Sequence, residues 1–332
     1  MSTDALRIEN VSKRFGEQRP TLAMRMGLSA PKPVVHALEN VSLTIRPGEF
    51  VGLVGESGSG KSTLGRIAAG LMAPSEGHAQ IFGRDAVRDK AVHRDVQMIF
   101  QDPQASLNPR LRVDQAVGEA PLVHGLTDRA GVDAYVAGLF RMVGLDPAMR
   151  TRFPHQFSGG QRQRINIARA LALKPRLLVC DESIAALDVS IQAQILNLFM
   201  DLRRDLDLTY LFISHDLRAV QHVCDRVVIL YLGRIVEELP ARDFAGGANH
   251  PYTRALLAAL PDLGQRRKPW VAIEGEIPSP IAPPAGCPFH PRCPLAFDRC
   301  RVERPTMQTI APDHRSACHL NDGPAPKKES HA

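Results

Sequence analysis

A stretch that could bind phosphate lies near the start of the chain. Residues 55–63 fit the spacing G-x-x-x-x-G-K-[ST] at every fixed position. An apolar run over residues 50–54 predicts a buried strand before them, and residues 64–69 continue as a predicted helix. Glycines let such a loop curl so that its N–H groups point at phosphate oxygens, and the helix start adds a positive dipole end. We therefore predict that this loop binds a nucleoside triphosphate. The predicted contacts are Gly55, Ser57, Gly58, Gly60, Lys61, Ser62 and Thr63.

Polar residues also follow predicted strands at the points where the strands end. Asp181 and Glu182 come directly after the apolar residues 177–180, and His215 follows another apolar run. In phosphate-loop folds, ligands collect at the carboxyl ends of parallel strands, so we expect these side chains to lie near the loop. We predict that Asp181 and the Ser62 hydroxyl bind magnesium, that Glu182 polarises an attacking water and that His215 hydrogen-bonds the γ-phosphate.

The elements that must position these residues alternate between strands and helices. Apolar runs predict strands at residues 96–100, 177–180, 210–214 and 227–231, and helical spacing of Ile and Leu predicts an amphipathic helix over residues 190–206. This alternation is typical of an α/β fold with a parallel sheet core.

Two insertions are expected in this core. Short strands at residues 6–15 and 40–46 predict an antiparallel β subdomain, interrupted by a basic loop over residues 16–37. Frequent prolines predict an inserted helical subdomain at about residues 102–160. The alternation stops near residue 240, where Pro, Cys and Arg become frequent. The predicted domains are a nucleotide-binding domain at residues 1–245 and a C-terminal extension at residues 246–325.

Composition excludes several classes of protein. The chain has 332 residues, of which 44% are hydrophobic, so it can bury a sizeable core. The net charge is +6, but the Lys and Arg residues are scattered without aromatic interleaving, so we expect no nucleic-acid partner. No apolar run approaches the roughly 18 residues needed to span a bilayer, and residues 1–4 begin no leader. We expect a cytoplasmic protein, with attachment to a membrane partner left open.

Four of the six cysteines fall in one late segment. Their spacing is C-x5-C-x6-C-x17-C. In a cytosolic chain such clustering favours metal binding over disulfides. Four thiolates suit a [4Fe–4S] cluster or tetrahedral zinc, yet the spacing matches neither the common ferredoxin runs nor paired C-x2-C zinc sites. A cluster, zinc and no metal therefore all stay open. The four residues are Cys287, Cys293, Cys300 and Cys318.

Together, these motifs resemble the ATP-binding subunits of ABC transporters over roughly residues 6–240. The most specific element is residues 157–161, which read Phe-Ser-Gly-Gly-Gln and are similar to the family's signature L-S-G-G-Q. The resemblance implies a P-loop NTPase fold that binds and hydrolyses ATP with Mg²⁺.

The resemblance also implies a role for each matched residue. Gln101 corresponds to the Q-loop glutamine, Asp181 to the Walker B aspartate and Glu182 to the catalytic glutamate. His215 corresponds to the switch histidine, and Phe15 lies where the family has an aromatic residue that stacks on adenine. The implied catalytic residues are Glu182, His215 and Gln101, and the implied magnesium ligands are Ser62, Gln101 and Asp181.

Two such subunits are expected to dimerise head to tail, with ATP between the phosphate loop of one and the signature of the other. ATP would close the dimer and hydrolysis would release it. The residues expected to complete the partner's ATP site from the signature are Ser158, Gly159 and Gly160, and Gln161 and Asp188 are further expected nucleotide contacts.

One stretch departs from the family pattern. Where the family has Asp-Glu-Pro-Thr followed by Ser-Ala-Leu-Asp, residues 181–188 read Asp-Glu-Ser-Ile-Ala-Ala-Leu-Asp. We expect the loss of the proline and of the serine hydroxyl to weaken communication between the two ATP sites. Asp188 remains, so hydrolysis is still expected, and a regulatory subunit that scarcely turns over is kept as an alternative.

The end of the chain resembles the C-terminal extension of ATPase subunits in dipeptide and oligopeptide importers. The resemblance depends on residues 250–257, 275–280 and 286–294. It implies peptide uptake, with a second, non-identical ATPase, two transmembrane permease subunits and an external binding protein. The long early insertion fits the second ATPase of such a pair.

The resemblance also favours the [4Fe–4S] cluster over zinc. It implies a location at the cytoplasmic face of the plasma membrane. Alternatives are a homodimer, an importer of nickel, glutathione or another small solute, and a soluble ABC ATPase without a role in transport.

Overall fold

Two β-sheets with a helix packed between them form the framework of the protein. The computed structural model describes residues 4–16, 33–102, 105–185, 187–259 and 273–322. Most of the loop predicted over residues 16–37 lies outside these ranges, as do Ala186 and the last residues of the predicted extension.

The strands of the parallel core and the helix predicted over residues 190–206 fall where the apolar pattern predicts them. The strands are β1 (Leu6–Phe15), β2 (Val35–Ile45), β3 (Phe50–Val54), β4 (Glu76–Ile81), β5 (Arg84–Asp85), β6 (Val96–Ile99), β7 (Leu177–Asp181), β8 (Thr209–Ile213), β9 (Arg226–Tyr231), β10 (Arg234–Pro240), β11 (Gln308–Ala311) and β12 (His314–Ser316). The helices are α1 (Lys61–Ala68), α2 (Val92–Asp95), α3 (Val113–Val123), α4 (Val132–Met142), α5 (Gly159–Leu171), α6 (Val189–Leu206), α7 (Leu217–Val223), α8 (Phe244–Gly247), α9 (Pro251–Ala258) and α10 (Asp298–Val302). Short 3₁₀ helices lie at Pro147–Thr151, Pro154–Gln156, Ala241–Asp243, His290–Arg292 and His319–Asn321.

The larger sheet has the order β11-β12-β10-β9-β3-β8-β7-β6. Its strands β6, β7, β8, β3 and β9 are parallel neighbours, whereas β10, β12 and β11 pair antiparallel. Every residue of β3 is buried, because helices or the second sheet cover both faces of the sheet at its centre. The predicted parallel α/β core is confirmed.

The smaller sheet is antiparallel, with the order β2-β1-β4-β5. Its inward residues, such as Leu6 and Ile8, share one apolar cluster with Leu64 of α1 and with Val51 and Leu53 of β3. Helix α1 therefore lies between the two sheets. The predicted antiparallel subdomain is confirmed, although its second strand begins at Val35 rather than at residue 40.

Helices α3 and α4 lie between β6 and α5 in the chain, where a helical subdomain was predicted. Their buried faces, which include Val117 of α3 and Phe140 of α4, meet Ile165 of α5 in the second apolar cluster. The longest described helix, α6, buries one stripe of residues, including Ile195, in the same cluster. Within the described ranges, no helix has the length and apolar character to cross a membrane.

The C-terminal extension is built into the larger sheet. Strand β12 pairs with β10, and β11 adds beyond it. The fully buried carboxylate of Glu237 accepts hydrogen bonds from the backbone N–H groups of Asn249 (2.6 Å) and His250 (3.1 Å) and lies 2.8 Å from His314 Nε2. Because a buried carboxylate needs several partners to offset desolvation, Glu237 fixes the path by which the chain enters the extension.

Arg226 at the start of β9 joins three other segments. Its guanidinium donates to Glu49 (2.9 Å), Glu238 (3.0 Å) and the carbonyl oxygen of Thr44 (2.6 Å). The Arg226→Ala variant leaves two largely buried carboxylates without their cation, so we expect the free energy of unfolding to fall by about 2 kcal/mol. Urea unfolding followed by circular dichroism measures this change.

A matched control is Arg204→Ala. Arg204 is exposed and pairs with Asp201 and Asp205 on the surface of α6. Exposed ion pairs contribute little, so this variant is expected to change stability by less than about 0.5 kcal/mol. Equal unfolding midpoints for the two variants would contradict the role given to Arg226.

Candidate functional site

The predicted phosphate loop spans the gap between the end of β3 and the start of α1. Gly60, just before the helix, has φ +105°, and a Cβ there would lie 2.5 Å from the carbonyl oxygen of Ala37. Only glycine fits this position without a backbone shift. Ser57 and Gly58 are exposed at the loop tip, while Ser62 and Thr63 are half-buried in the first turn of α1.

Lys61 turns back into its own loop. Its buried ammonium donates to the carbonyl oxygens of Gly55 (2.8 Å) and Glu56 (2.9 Å). Burial lowers the pKa of Lys61, while the negative charges of Glu182, Asp181 and Glu56 oppose that shift. The ammonium is therefore held among oxygen atoms in a poorly solvated position, where a phosphate oxygen can replace a carbonyl.

Ser62 and Asp181 meet directly. The Ser62 hydroxyl donates to Asp181 Oδ1 at 3.0 Å, from the first turn of α1 to the buried end of β7. Burial raises the pKa of Asp181, and the hydrogen bond from Ser62 opposes that shift. A carboxylate and a hydroxyl are oxygen ligands that suit Mg²⁺, so the donor chemistry of this pair fits the predicted metal.

Two further predicted residues, Gln101 and His215, converge on one carboxylate oxygen of a third, Glu182. Gln101 Nε2 donates to Glu182 Oε2 at 2.9 Å, and His215 Nδ1 lies 3.5 Å from the same atom. They follow the neighbouring strands β6, β7 and β8. Glu182 has φ +46°, a backbone conformation that non-glycine residues rarely adopt, and its N–H donates to Ile213 O. The hydrogen bond to β8 holds the strained residue with its carboxylate at the strand ends.

The signature residues lie at the start of α5. Ser158 Oγ accepts from the N–H of Gln161 (3.3 Å), and Gln161 Oε1 accepts from the N–H of Ser158 (3.0 Å), which forms a capping box. Ser158 and Gly159 are exposed. The capping box satisfies the Gln161 N–H, and the Gly159 and Gly160 N–H groups have no acceptor within the helix, so this end of α5 can receive an anion.

Two other predicted contacts lie apart from this centre. Phe15, at the end of β1, is 39% exposed, and the Lys13 ammonium lies 5.3 Å from its ring centroid. Asp188 is exposed at the start of α6. The single chain thus gathers the phosphate loop with Asp181, Glu182, Gln101 and His215, and leaves Phe15, Ser158, Gly159 and Asp188 exposed.

Sequence reasoning missed a set of contacts to the phosphate loop. The N–H of Glu56 donates to the hydroxyl of Tyr252 at 2.8 Å, and the Arg292 guanidinium donates to both carboxylate oxygens of Glu56, at 2.6 and 3.0 Å. Both partners belong to the C-terminal extension. Arg292 is 236 positions away from Glu56, and no spacing or periodicity marks a contact over that separation.

The four late cysteines border one small cavity, together with Phe289, Leu295 and Leu320 among other residues. All four are free thiols. Burial raises the pKa of the Cys287 thiol to about 12 and that of the Cys318 thiol to about 11.

The cavity does not by itself make a metal centre. Over the described part of the chain, no three His, Cys, Asp or Glu side chains are grouped so that they could hold a metal ion. The four thiols can line one cavity without lying within bonding distance of a single metal ion. The donor chemistry suits a soft metal, but the observed arrangement does not support the predicted iron–sulfur or zinc site.

Comparison with known families gives two matches in one chain. Residues 38–185 match the ABC transporter family, and residues 236–300 match the family described as the oligopeptide/dipeptide transporter C-terminal region. The first range covers the phosphate loop, Gln101 and Glu182, and the second covers Tyr252 and Arg292.

Similar proteins are known from several bacteria. The chain is 44% identical over 338 residues to a probable peptide ABC transporter ATP-binding protein of Sinorhizobium fredii, covering 100% of this chain and 93% of that protein. It is 45% identical to the oligopeptide transport ATP-binding protein AppF of Bacillus subtilis (86% and 90% covered). It is 47% identical to the di/tripeptide transport ATP-binding protein DppF of Pseudomonas aeruginosa (88% and 92% covered).

Two solved structures share the fold of most of this chain. The ATP-binding cassette MJ0796, solved as a dimer in a post-hydrolysis state bound to ADP and Pi, has a TM-score of 0.61 at 29% identity and covers 71% of this chain and 99% of its own. The cbiO1 protein of Clostridium perfringens has a TM-score of 0.62 at 23% identity, with 73% and 90% covered. The chain belongs to the ABC transporter ATPases, among those that carry the oligopeptide/dipeptide transporter C-terminal region.

Proposed function

We propose that this ATPase powers the uptake of dipeptides and oligopeptides across the cytoplasmic membrane. The names of the relatives support a peptide substrate. These relatives are 44 to 47% identical to this chain, and each match covers most of this chain and most of the relative. Nickel, glutathione or another small solute stays the alternative. ATP hydrolysis is supported above all by one observation, the convergence of Gln101 and His215 on the Glu182 carboxylate beside the Ser62–Asp181 pair.

In this proposal each residue at the strand ends has a defined role in binding or hydrolysing ATP. Lys61 and the loop N–H groups bind the outer phosphates, and Ser62 and Asp181 would hold magnesium, which neutralises charge on those phosphates. Glu182 orients the water and accepts its proton as the water oxygen bonds to the γ-phosphorus. The bond from that phosphorus to the bridging oxygen breaks, and ADP and phosphate leave. Gln101 would also bind the magnesium ion and His215 would hydrogen-bond the γ-phosphate, and both side chains contact the Glu182 carboxylate and so hold it in place for this reaction.

The signature residues act on the nucleotide of a second ATPase subunit in this proposal. Ser158 and Gly159 are exposed at a helix N-terminus, which favours contact with an anion brought by another molecule. Asp188 is exposed as well. A non-identical second ATPase is the proposed partner, and a homodimer is the alternative.

We further propose that two permease subunits dock on the cytoplasmic side and receive solute from an external binding protein. A groove next to Gln101 supports this docking. Its rim includes Leu71 and Phe100, which are 52% and 42% exposed, and its floor includes Ala170 of α5. Exposed apolar side chains of this size favour a protein partner, and a helix in this groove would sense movement of Gln101.

For the cysteine cavity, the proposed cofactor is a [4Fe–4S] cluster held by Cys287, Cys293, Cys300 and Cys318, with zinc as the alternative. The proposal starts from four free thiols that line one cavity, although in the described residues they do not stand close enough together to hold a metal ion. Formation of the site would require the sulfur atoms to move closer together and lose their protons, since thiolates are the ligands. The cluster would stabilise the extension by cross-linking its segments.

The Glu182→Gln variant tests the assignment of the catalytic base. The amide keeps the size of the side chain but accepts no proton, so we expect the ATPase rate to fall at least about 100-fold while ATP binding remains. Phosphate release and nucleotide binding are measured on the same preparations. The control is Glu76→Gln, which alters an exposed carboxylate that pairs with Arg14. Unchanged hydrolysis in Glu182→Gln, or no hydrolysis by the wild-type transporter, would overturn the assignment.

Metal analysis of anaerobically purified protein tests the cofactor proposal. We expect about four irons and four sulfides per chain with broad visible absorption, lost in Cys293→Ser and kept in Cys224→Ser, since Cys224 is a buried thiol that does not line the cavity. Zinc at about one per chain would establish the alternative cofactor. Protein without metal would refute both.

A further inference from the structure

Glu56, the second residue of the phosphate loop, is held at all three of its polar groups. Its N–H donates to Tyr252 (2.8 Å), its carbonyl oxygen accepts from Lys61 (2.9 Å), and its carboxylate accepts two hydrogen bonds from Arg292 (2.6 and 3.0 Å). Loops are usually mobile because few of their polar groups are bound to the rest of the protein. Here the residue at the entry to the loop is hydrogen-bonded to two buried side chains of the C-terminal extension.

The two tail residues that hold Glu56 are themselves fixed by the core. Tyr252 is fully buried in α9, and its ring packs 4.6 Å from that of Tyr231 and 5.3 Å from that of Phe289. The side chain of Arg292 is only 4% exposed, and its backbone N–H donates to Phe289 O. Neither side chain can change position without disturbing this packing.

The contact with Arg292 is of a strong type. A guanidinium that meets a carboxylate with two parallel hydrogen bonds fixes distance and orientation together, which a lysine cannot do. The Tyr252 hydroxyl adds a neutral hydrogen bond to the main chain of the same residue. Burial raises the pKa of this hydroxyl, so it is protonated throughout the physiological range.

We propose that Tyr252 and Arg292 are positioning residues for the phosphate loop, which hold Glu56 so that the loop is preorganised to bind nucleotide. The inference depends on the proposed role of residues 55–63 as the phosphate site. Holding the loop in its binding conformation lowers the entropy lost when phosphate orders it. The C-terminal extension thereby acts on the ATP site of its own chain, in addition to any contact it makes with other subunits.

The same coupling must act in the opposite direction. If the extension raises the affinity for nucleotide, bound nucleotide must stabilise the extension by an equal free energy. This stabilisation by nucleotide should be concentrated in residues 287–300, around Arg292, where the extension contacts the loop. If the loop were held only by its own backbone, nucleotide would not stabilise those residues.

Two substitutions test the proposal with little loss of volume. Tyr252→Phe removes only the hydroxyl that accepts from Glu56, and Arg292→Lys keeps the charge but loses the two-pronged contact. The affinity of the full-length chain for a non-hydrolysable ATP analogue with magnesium is measured by calorimetry, together with the melting temperature. We expect each variant to raise Kd by about three-fold to thirty-fold. The double variant should raise Kd by less than the product of the two single increases, because both side chains act on the same residue, Glu56.

The matched control is Arg304→Lys. Arg304 also joins the extension to the nucleotide-binding domain, since its guanidinium donates to Glu39 at 2.7 Å, but it does not contact Glu56. The Kd of the Arg304→Lys variant for the ATP analogue is expected to stay within about two-fold of the wild-type value. Equal losses of affinity in Arg304→Lys and Arg292→Lys would overturn the proposal in favour of general loosening of the extension. Wild-type affinity in folded Tyr252→Phe and Arg292→Lys would also overturn it.

A further variant separates this inference from the proposed function. Lys61→Ala should abolish nucleotide binding if residues 55–63 are the phosphate site. If Lys61→Ala still binds nucleotide, both the proposed phosphate site and the positioning role are overturned. If Lys61→Ala loses nucleotide binding but Arg292→Lys keeps wild-type affinity, only the positioning role is overturned. Hydrogen exchange provides a second readout: nucleotide should slow exchange in residues 287–300 of the wild-type chain and have a smaller effect in Arg292→Lys.

Discussion

Parallel pairing of β6, β7, β8 and β3 is the constraint on which the rest of the site depends. In this register Asp181 lies beside Ile213, and all four strands end at one edge of the sheet. Residues that are far apart in the chain, from Gln101 to His215, therefore meet within hydrogen-bond or ion-pair distance of Glu182. A shift of one residue in the pairing would turn the polar side chains into the core, so burial of both faces enforces the geometry of the site.

The same burial places charges where water solvates them poorly. Lys61 and Asp181 are both buried, and desolvation shifts the pKa of each toward the neutral form. Each is partly compensated by nearby groups, Lys61 by carbonyl oxygens and Asp181 by the Ser62 hydroxyl. Electrostatic interactions are stronger in such surroundings than in water. A phosphate and a divalent cation would therefore bind with more favourable energy here than at an exposed surface.

The extension and the nucleotide-binding domain share one sheet and one apolar cluster. Phe289 and Cys300 belong to the same cluster as Phe50 and Tyr210 at the centre of the larger sheet. This cluster crosses the boundary predicted near residue 245, where the composition of the chain changes. Packing of the extension against this cluster brings Arg292 to the phosphate loop, where only 4% of its side chain is exposed.

The sequence alone determined the elements whose physics is local. Apolar runs and helical spacing predicted the strands of the parallel core and helix α6, and the fixed spacing of residues 55–63 predicted the loop between β3 and α1. Strand ends with polar residues predicted which side chains would gather, because parallel strands share a carboxyl edge. Only the tertiary structure decided the contacts made across large separations. The hold of Arg292 and Tyr252 on Glu56, the pairing of β12 with β10 and the arrangement of the four cysteines all arise from how the extension packs. No local pattern encodes those contacts, since they follow from burial and complementarity between segments that the chain brings together only on folding.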